Sequence, residues 1–95
     1  MRKIDELKLL PDFDDIINHY NLGFQYESRG NLILAEYHLK LAADKGHPEA
    51  QYGLGLIYEY KGKFDLAEKY YKLAADGGEP FAQVALDNLY DEKKD

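Results

Sequence analysis

The sequence predicts an all-α fold, an α-solenoid of antiparallel helical hairpins, on three observations. Shifted by 32 residues the chain meets itself: between residues 19–50 and 51–82 the same residue stands at 17 of 32 aligned places. Within each period apolar residues recur three and four apart, as at Leu54, Ile57 and Tyr58 and again at Leu66, Tyr70 and Leu73, which is helical spacing. Glycines punctuate each period at matching points, Gly30 and Gly62 within it and Gly46, Gly77 and Gly78 after it, where helices stop. A recurring unit of this length is a supersecondary element that cannot bury its apolar face alone, so units stack and the stack offers an extended surface.

Taken in order, the chain opens with Ile4, Leu7 and Leu10 at helical spacing before Pro11, expected to cap the open side of the first hairpin. The leading helices of the hairpins, called A, are expected at 12–29, 48–61 and 80–92, with Pro48 and Pro80 at first helical positions. The following helices, called B, are expected at 31–45 and 64–76. The 95 residues then form one repeat domain: a cap segment 1–11, repeat 1 at 12–46, repeat 2 at 47–78 and a C-terminal capping helix within 79–95, two and a half repeats in all. In the last A helix Gln83, Leu86 and Tyr90 continue the series Gln51, Leu54, Tyr58, but Asp87 replaces the glycine of Gly23 and Gly55. A glycine there lets a B helix approach closely, and the last A helix has no B helix after it.

The runs Ala67-Glu68-Lys69-Tyr70-Tyr71-Lys72-Leu73-Ala74-Ala75-Asp76-Gly77-Gly78 and Ala42-Ala43-Asp44-Lys45-Gly46-His47-Pro48-Glu49-Ala50-Gln51-Tyr52-Gly53-Leu54-Gly55-Leu56-Ile57-Tyr58 resemble the Sel-one-like repeat (SLR), a branch of the tetratricopeptide (TPR) superfamily. The resemblance spans about residues 19–90 and rests on two spaced alanines, a glycine turn, a further alanine and Leu-Gly-x-x-Tyr. The loop within the hairpin is shorter than in the SLR pattern, because Gly62 runs almost directly into Phe64-Asp65-Leu66-Ala67. The resemblance implies a right-handed superhelix of helical pairs whose A helices line a concave groove, and a scaffold that holds peptides or partner proteins.

Composition narrows the function. With 45% hydrophobic and 32% charged residues the chain is expected to fold, and it holds no cysteine, no threonine and one serine, Ser28, which removes thiolate chemistry and nearly every hydroxyl nucleophile. His19, His38 and His47 do not stand four apart as a helical metal pair would, and no HExxH motif is present. Gly77-Gly78 lacks the spacing of a phosphate-cradling loop. The expectation is a protein that is not an enzyme and takes no cofactor and no metal. No apolar run reaches the roughly 18 residues that span a bilayer, and acids follow at once on Met1-Arg2-Lys3-Ile4, so a cytoplasmic protein without a membrane span or export signal is expected.

Net charge is −6 and unevenly placed. The expected A helices carry nine acids against Arg29 and Lys61, a net of −7, whereas the B helices carry five acids against four lysines, a net of −1. Such a distribution attracts basic segments and repels nucleic acid.

Each A helix has two apolar stripes. Leu22, Gly23 and Tyr26 mark the one expected to pack its hairpin, and Tyr26, Tyr58, Tyr70, Tyr71 and Tyr90 are expected in the core. The other stripe is Ile17, Tyr20 and Phe24, copied as Glu49, Tyr52 and Leu56 and then as Phe81, Val84 and Asn88; one turn on it carries an acid in all three helices, Glu27, Glu59 and Asp91. By analogy with TPR arrays this stripe lines the groove, and these twelve residues are the candidate contacts for a peptide or protein segment with basic and apolar side chains. The reading is a monomeric protein–protein interaction module with no nucleic-acid or membrane partner. The alternatives are a structural repeat that associates end to end and an engineered repeat scaffold without a native ligand.

Overall fold

The computed structural model of the protein describes residues 13–94, and over that range the chain is all-helical. Five α-helices follow one another: α1 Phe13–Ser28, α2 Leu32–Asp44, α3 Pro48–Tyr60, α4 Phe64–Asp76 and α5 Ala82–Lys94. The cap segment expected at residues 1–11, with Ile4, Leu7 and Leu10, lies outside the described residues. No helix among the described residues is long and apolar enough to cross a membrane.

Local chemistry sets the helix ends. At the end of α3 the Gly62 N–H donates to the Glu59 carbonyl (2.9 Å) and the Lys63 N–H to the Tyr58 carbonyl (2.8 Å), with Gly62 at φ +78°. A side chain at that left-handed φ would be strained, so glycine closes the helix there. Gly30, Gly46 and Gly78 close α1, α2 and α4 with the same pair of bonds. At the starts, the Asn31 side chain accepts from the Leu34 N–H (3.2 Å) ahead of α2. His47 Nδ1 accepts from the Ala50 N–H (3.0 Å) ahead of α3, where Pro48 takes the first helical position.

The start of α5 departs from expectation. Pro80 was expected at a first helical position, but the helix begins at Ala82, because the buried Glu79 carboxylate turns back and accepts from the Phe81 N–H at 2.6 Å. That bond ties Pro80 and Phe81 into a turn ahead of the helix.

Each helix packs on the one before it, and α1 also touches α3. Linkers of three residues join α1 to α2, α2 to α3 and α3 to α4, and packing is most extensive within the pairs α1–α2 and α3–α4, which are the helical hairpins. Within each hairpin the A-helix glycine meets a bulky B-helix residue: a Cβ on Gly23 would stand 2.6 Å from Leu39 Cγ, and one on Gly55 would stand 2.5 Å from Tyr71 Cδ1. Leu39 and Tyr71 are also 32 apart. Other contacts repeat at that spacing. Tyr26 stacks on His38 (5.6 Å between centroids, 12° between planes) as Tyr58 stacks on Tyr70 (5.7 Å, 28°), and the Tyr58 hydroxyl donates to Glu36 as Tyr90 donates to Glu68, both at 2.9 Å. The sequence period is therefore a period of contacts.

The core runs through the centre of this packing: Leu39, Leu54, Ile57, Tyr71 and Leu89 are its largest fully enclosed side chains. Tyr58, Tyr70 and Tyr71 belong to it and Tyr26 packs on it. Tyr90, also expected there, is 36% exposed where Tyr58 is 4%. Tyr58 is enclosed by the Tyr70 ring of the helix that follows α3, and among the described residues no helix follows α5. Leu22 is exposed where its counterpart Leu54 is fully buried, and α1, unlike α3, has no preceding hairpin among the described residues.

Candidate functional site

Three adjoining depressions run along α1, α3 and α5. The first, ≈490 Å³, is lined by Glu27, Gly30, Leu32, Leu56, Ile57 and Tyr60. The second, ≈120 Å³, lies between α1 and α3, with Tyr20, Phe24 and Glu27 on one wall, Glu49, Tyr52, Gly53 and Leu56 on the other, and Leu39 of α2 also lining it. The third, ≈310 Å³, is walled by Tyr52, Leu56 and Glu59 of α3 and by Ala85, Asn88 and Glu92 of α5, together with Val84 and, just ahead of α5, Phe81. Leu56 lines all three, so they form one continuous groove across the A helices. No lysine or arginine lines it.

Aromatic side chains supply its apolar relief. Phe24 is 55% exposed, Phe81 63% and Tyr60 81%. Tyr20 and Tyr52 stand beside two of these rings, Phe24 and Phe81, from partly buried positions against the core. The Tyr20 ring lies 6.5 Å from Phe24 and 4.7 Å from His47, and the Tyr52 ring lies 6.5 Å from Phe81 and 5.9 Å from Tyr71.

Carboxylates set the electrostatics. Burial, and then the charges of Glu49, Glu27 and Glu79, push the Tyr20 hydroxyl above its ordinary pKa; burial, Glu79 and Glu59 do the same to Tyr52. Glu59 accepts from the buried Tyr71 hydroxyl at 2.6 Å, a bond that adds to burial in raising the Tyr71 pKa. Beyond Glu59 stands Glu92, whose carboxyl titrates above the ordinary range because it shares a hydrogen bond with Glu59 and repels its charge. Glu27 is raised as well, by burial. Burial at Glu27 and the neighbouring Glu59 at Glu92 leave both carboxyls easier to protonate than an ordinary glutamate.

Ten of the twelve candidate contacts line these depressions: Tyr20, Phe24, Glu27, Glu49, Tyr52, Leu56, Glu59, Phe81, Val84 and Asn88. Ile17 and Asp91 line none of them; Ile17 is exposed on α1 beyond the groove, and Glu92 takes the place expected of Asp91. Glu27 and Glu59 stand on the flank of their helices that meets the next A helix, while Tyr60, 32 residues before Glu92, stands on the flank that meets the previous one. Among the described residues α5 has only a previous A helix, so its acid on the α3 side is Glu92 and Asp91 faces outward. Sequence reasoning also passed over Tyr60 and Glu79. The signal for Tyr60 was present, since a tyrosine between Glu59 and Lys61 at the end of an amphipathic helix is a large apolar group with no core position to fill.

The histidines take packing and capping positions. His47 caps α3. His19 and His38, 19 residues apart, meet across the first hairpin with Nδ1 to Nδ1 at 3.1 Å and their rings stacked at 5.4 Å. Spacing along a single helix carries no trace of such a meeting.

A further depression, ≈540 Å³, follows one face of α2 through Ile33, Glu36, Tyr37, Lys40, Leu41 and Asp44. Its charged groups are already satisfied: Glu36 holds Lys61 at 2.6 Å and Lys40 holds Asp44 at 3.1 Å. Neither a model of a known protein family, nor a curated protein, nor a solved structure matches the chain.

Proposed function

We propose that the chain is a small TPR-like, Sel-one-like α-solenoid module of two and a half repeats that binds a segment of another protein without catalysing a reaction. The observation that carries this reading is the continuous groove over α1, α3 and α5, in which exposed Phe24, Tyr60 and Phe81 alternate with Glu27, Glu49, Glu59 and Glu92 and no basic residue intervenes. The segment that complements it is extended or helical, with apolar side chains for the rings and lysine or arginine for the acids. Exposed aromatic anchors supply the affinity and the carboxylates supply orientation, because solvent-exposed ion pairs contribute only about 0–1 kcal/mol each.

Fluorescence anisotropy with labelled basic–apolar peptides tests the proposal. Phe24→Ala and Phe81→Ala should each weaken binding about tenfold, roughly 1.4 kcal/mol, without unfolding the protein, since both rings are largely outside the core. Tyr20 and Tyr52 are poorer probes because they pack against that core. Peptides that bind both variants as well as the original chain would place the contact elsewhere and sink the proposal.

A further inference from the structure

The repeat supplies its own reference for the histidine pair. In the second unit the residues 32 positions after His19 and His38 are Gln51 and Tyr70. Gln51 is buried and its amide donates to the Ala43 carbonyl at 3.1 Å, and Tyr70 stacks on Tyr58. Packing at these two positions is therefore met by glutamine and tyrosine, and the first unit departs from both at once by placing two imidazoles in mutual contact. Tyr26 and Tyr37 complete the surround, stacked on His38 at 5.6 Å and edge-on to it at 5.0 Å.

We infer that His19 and His38 form a two-imidazole chelate for a divalent transition ion of the zinc class. With metal–nitrogen bonds near 2.0–2.1 Å, two nitrogens on one ion stand about 2.9 Å apart at a right angle and about 3.3 Å apart at the tetrahedral angle. The Nδ1 atoms stand 3.1 Å apart, between those limits. Without metal, one ring donates its Nδ1 hydrogen to the other. On binding, that hydrogen moves to Nε2 through solvent, both rings turn about their broad χ2 torsions toward the ion, and no proton is lost when both imidazoles start neutral. No group of three or more histidine, cysteine or acidic residues among the described residues is arranged to hold a metal, so the chain supplies two ligands and water fills the rest.

Zinc titration of the untagged chain tests this. At zinc tenfold above Kd the melting temperature should rise by about 5–10 °C, and the ring-nitrogen resonances of His19 and His38 should shift together while those of His47 stay fixed. His19→Gln and His38→Tyr install the residues of the other unit and should each abolish the rise. Unmoved His19 and His38 nitrogens at millimolar zinc would overturn the assignment. So would an equal rise in either variant, which would mean an adventitious ion only.

Discussion

Two glycines two residues apart in α3 should respond to alanine with opposite signs. Alanine in a helix interior is favoured over glycine by about 1 kcal/mol, so the outcome depends on what the new methyl meets. At Gly53 it meets only the end of a leucine side chain, Leu39 Cδ1 at 3.4 Å, an ordinary contact, and Gly53→Ala should stabilise the protein by up to about 1 kcal/mol. At Gly55 it would stand 2.5 Å from both Cδ1 and Cε1 of Tyr71. That ring has no freedom to yield: it is fully buried and its hydroxyl is tied to Glu59 at 2.6 Å. Relief requires α3 and α4 to separate by roughly 1 Å, an overpacking cost of about 1–3 kcal/mol or more that exceeds the propensity gain. Gly55→Ala should therefore lower stability by about 1–2 kcal/mol net, or some 4–15 °C in melting temperature. Urea and thermal unfolding of both variants supply the assay. A Gly55→Ala protein as stable as the parent, or a Gly53→Ala protein as damaged as Gly55→Ala, would refute the close approach of α3 and α4.

Three further outcomes are expected. Because Glu27 and Glu92 titrate above the ordinary carboxylate range, affinity for a basic peptide should start to fall, as pH is lowered, at a higher pH than ordinary carboxylates would give; Glu92→Gln should move that fall to lower pH in anisotropy titrations. The His38 pKa is depressed in the folded chain, so between its ordinary value near 6.5 and the lower folded value the unfolded state binds the extra proton; stability measured by urea unfolding in a chelator should be complete above about pH 6.5 and decline as pH falls through that window, and a decline absent in the original chain would contradict the partial burial of His38. Tyr58→Phe removes a hydroxyl that donates to Glu36 from a buried ring and should cost about 1 kcal/mol, whereas Tyr90→Phe removes the equivalent bond to Glu68 at an exposed site and should cost less than about 0.5 kcal/mol; equal costs would show that burial does not separate the two.

The spans of α1 to α4 were readable in the sequence to within a residue at each end, because glycine turns and apolar spacing are local signals and the repeat stated each twice. What the sequence did not reveal lies where a residue's surroundings depend on a neighbouring unit. Asp91 and Tyr90 occupy the same register as Glu59 and Tyr58, yet they differ from them because α4 follows α3 and no described helix follows α5. Pro80 matches Pro48 in register, but the residue before it is a glutamate that reaches over and caps Phe81, where His47 caps one residue farther along. The His19–His38 contact depends on the rotation of α1 against α2; only the alignment of His38 with Tyr70 hinted that it would meet the A helix.

Following backbone amide resonances while a basic–apolar peptide is titrated in tests the groove most directly. The account predicts shifts at Phe24, Leu56, Tyr60, Val84 and Asn88, which line the three depressions, with Ile33, Tyr37 and Lys40 on the outer face of α2 unmoved. Shifts centred on that α2 face, with the A helices silent, would contradict it.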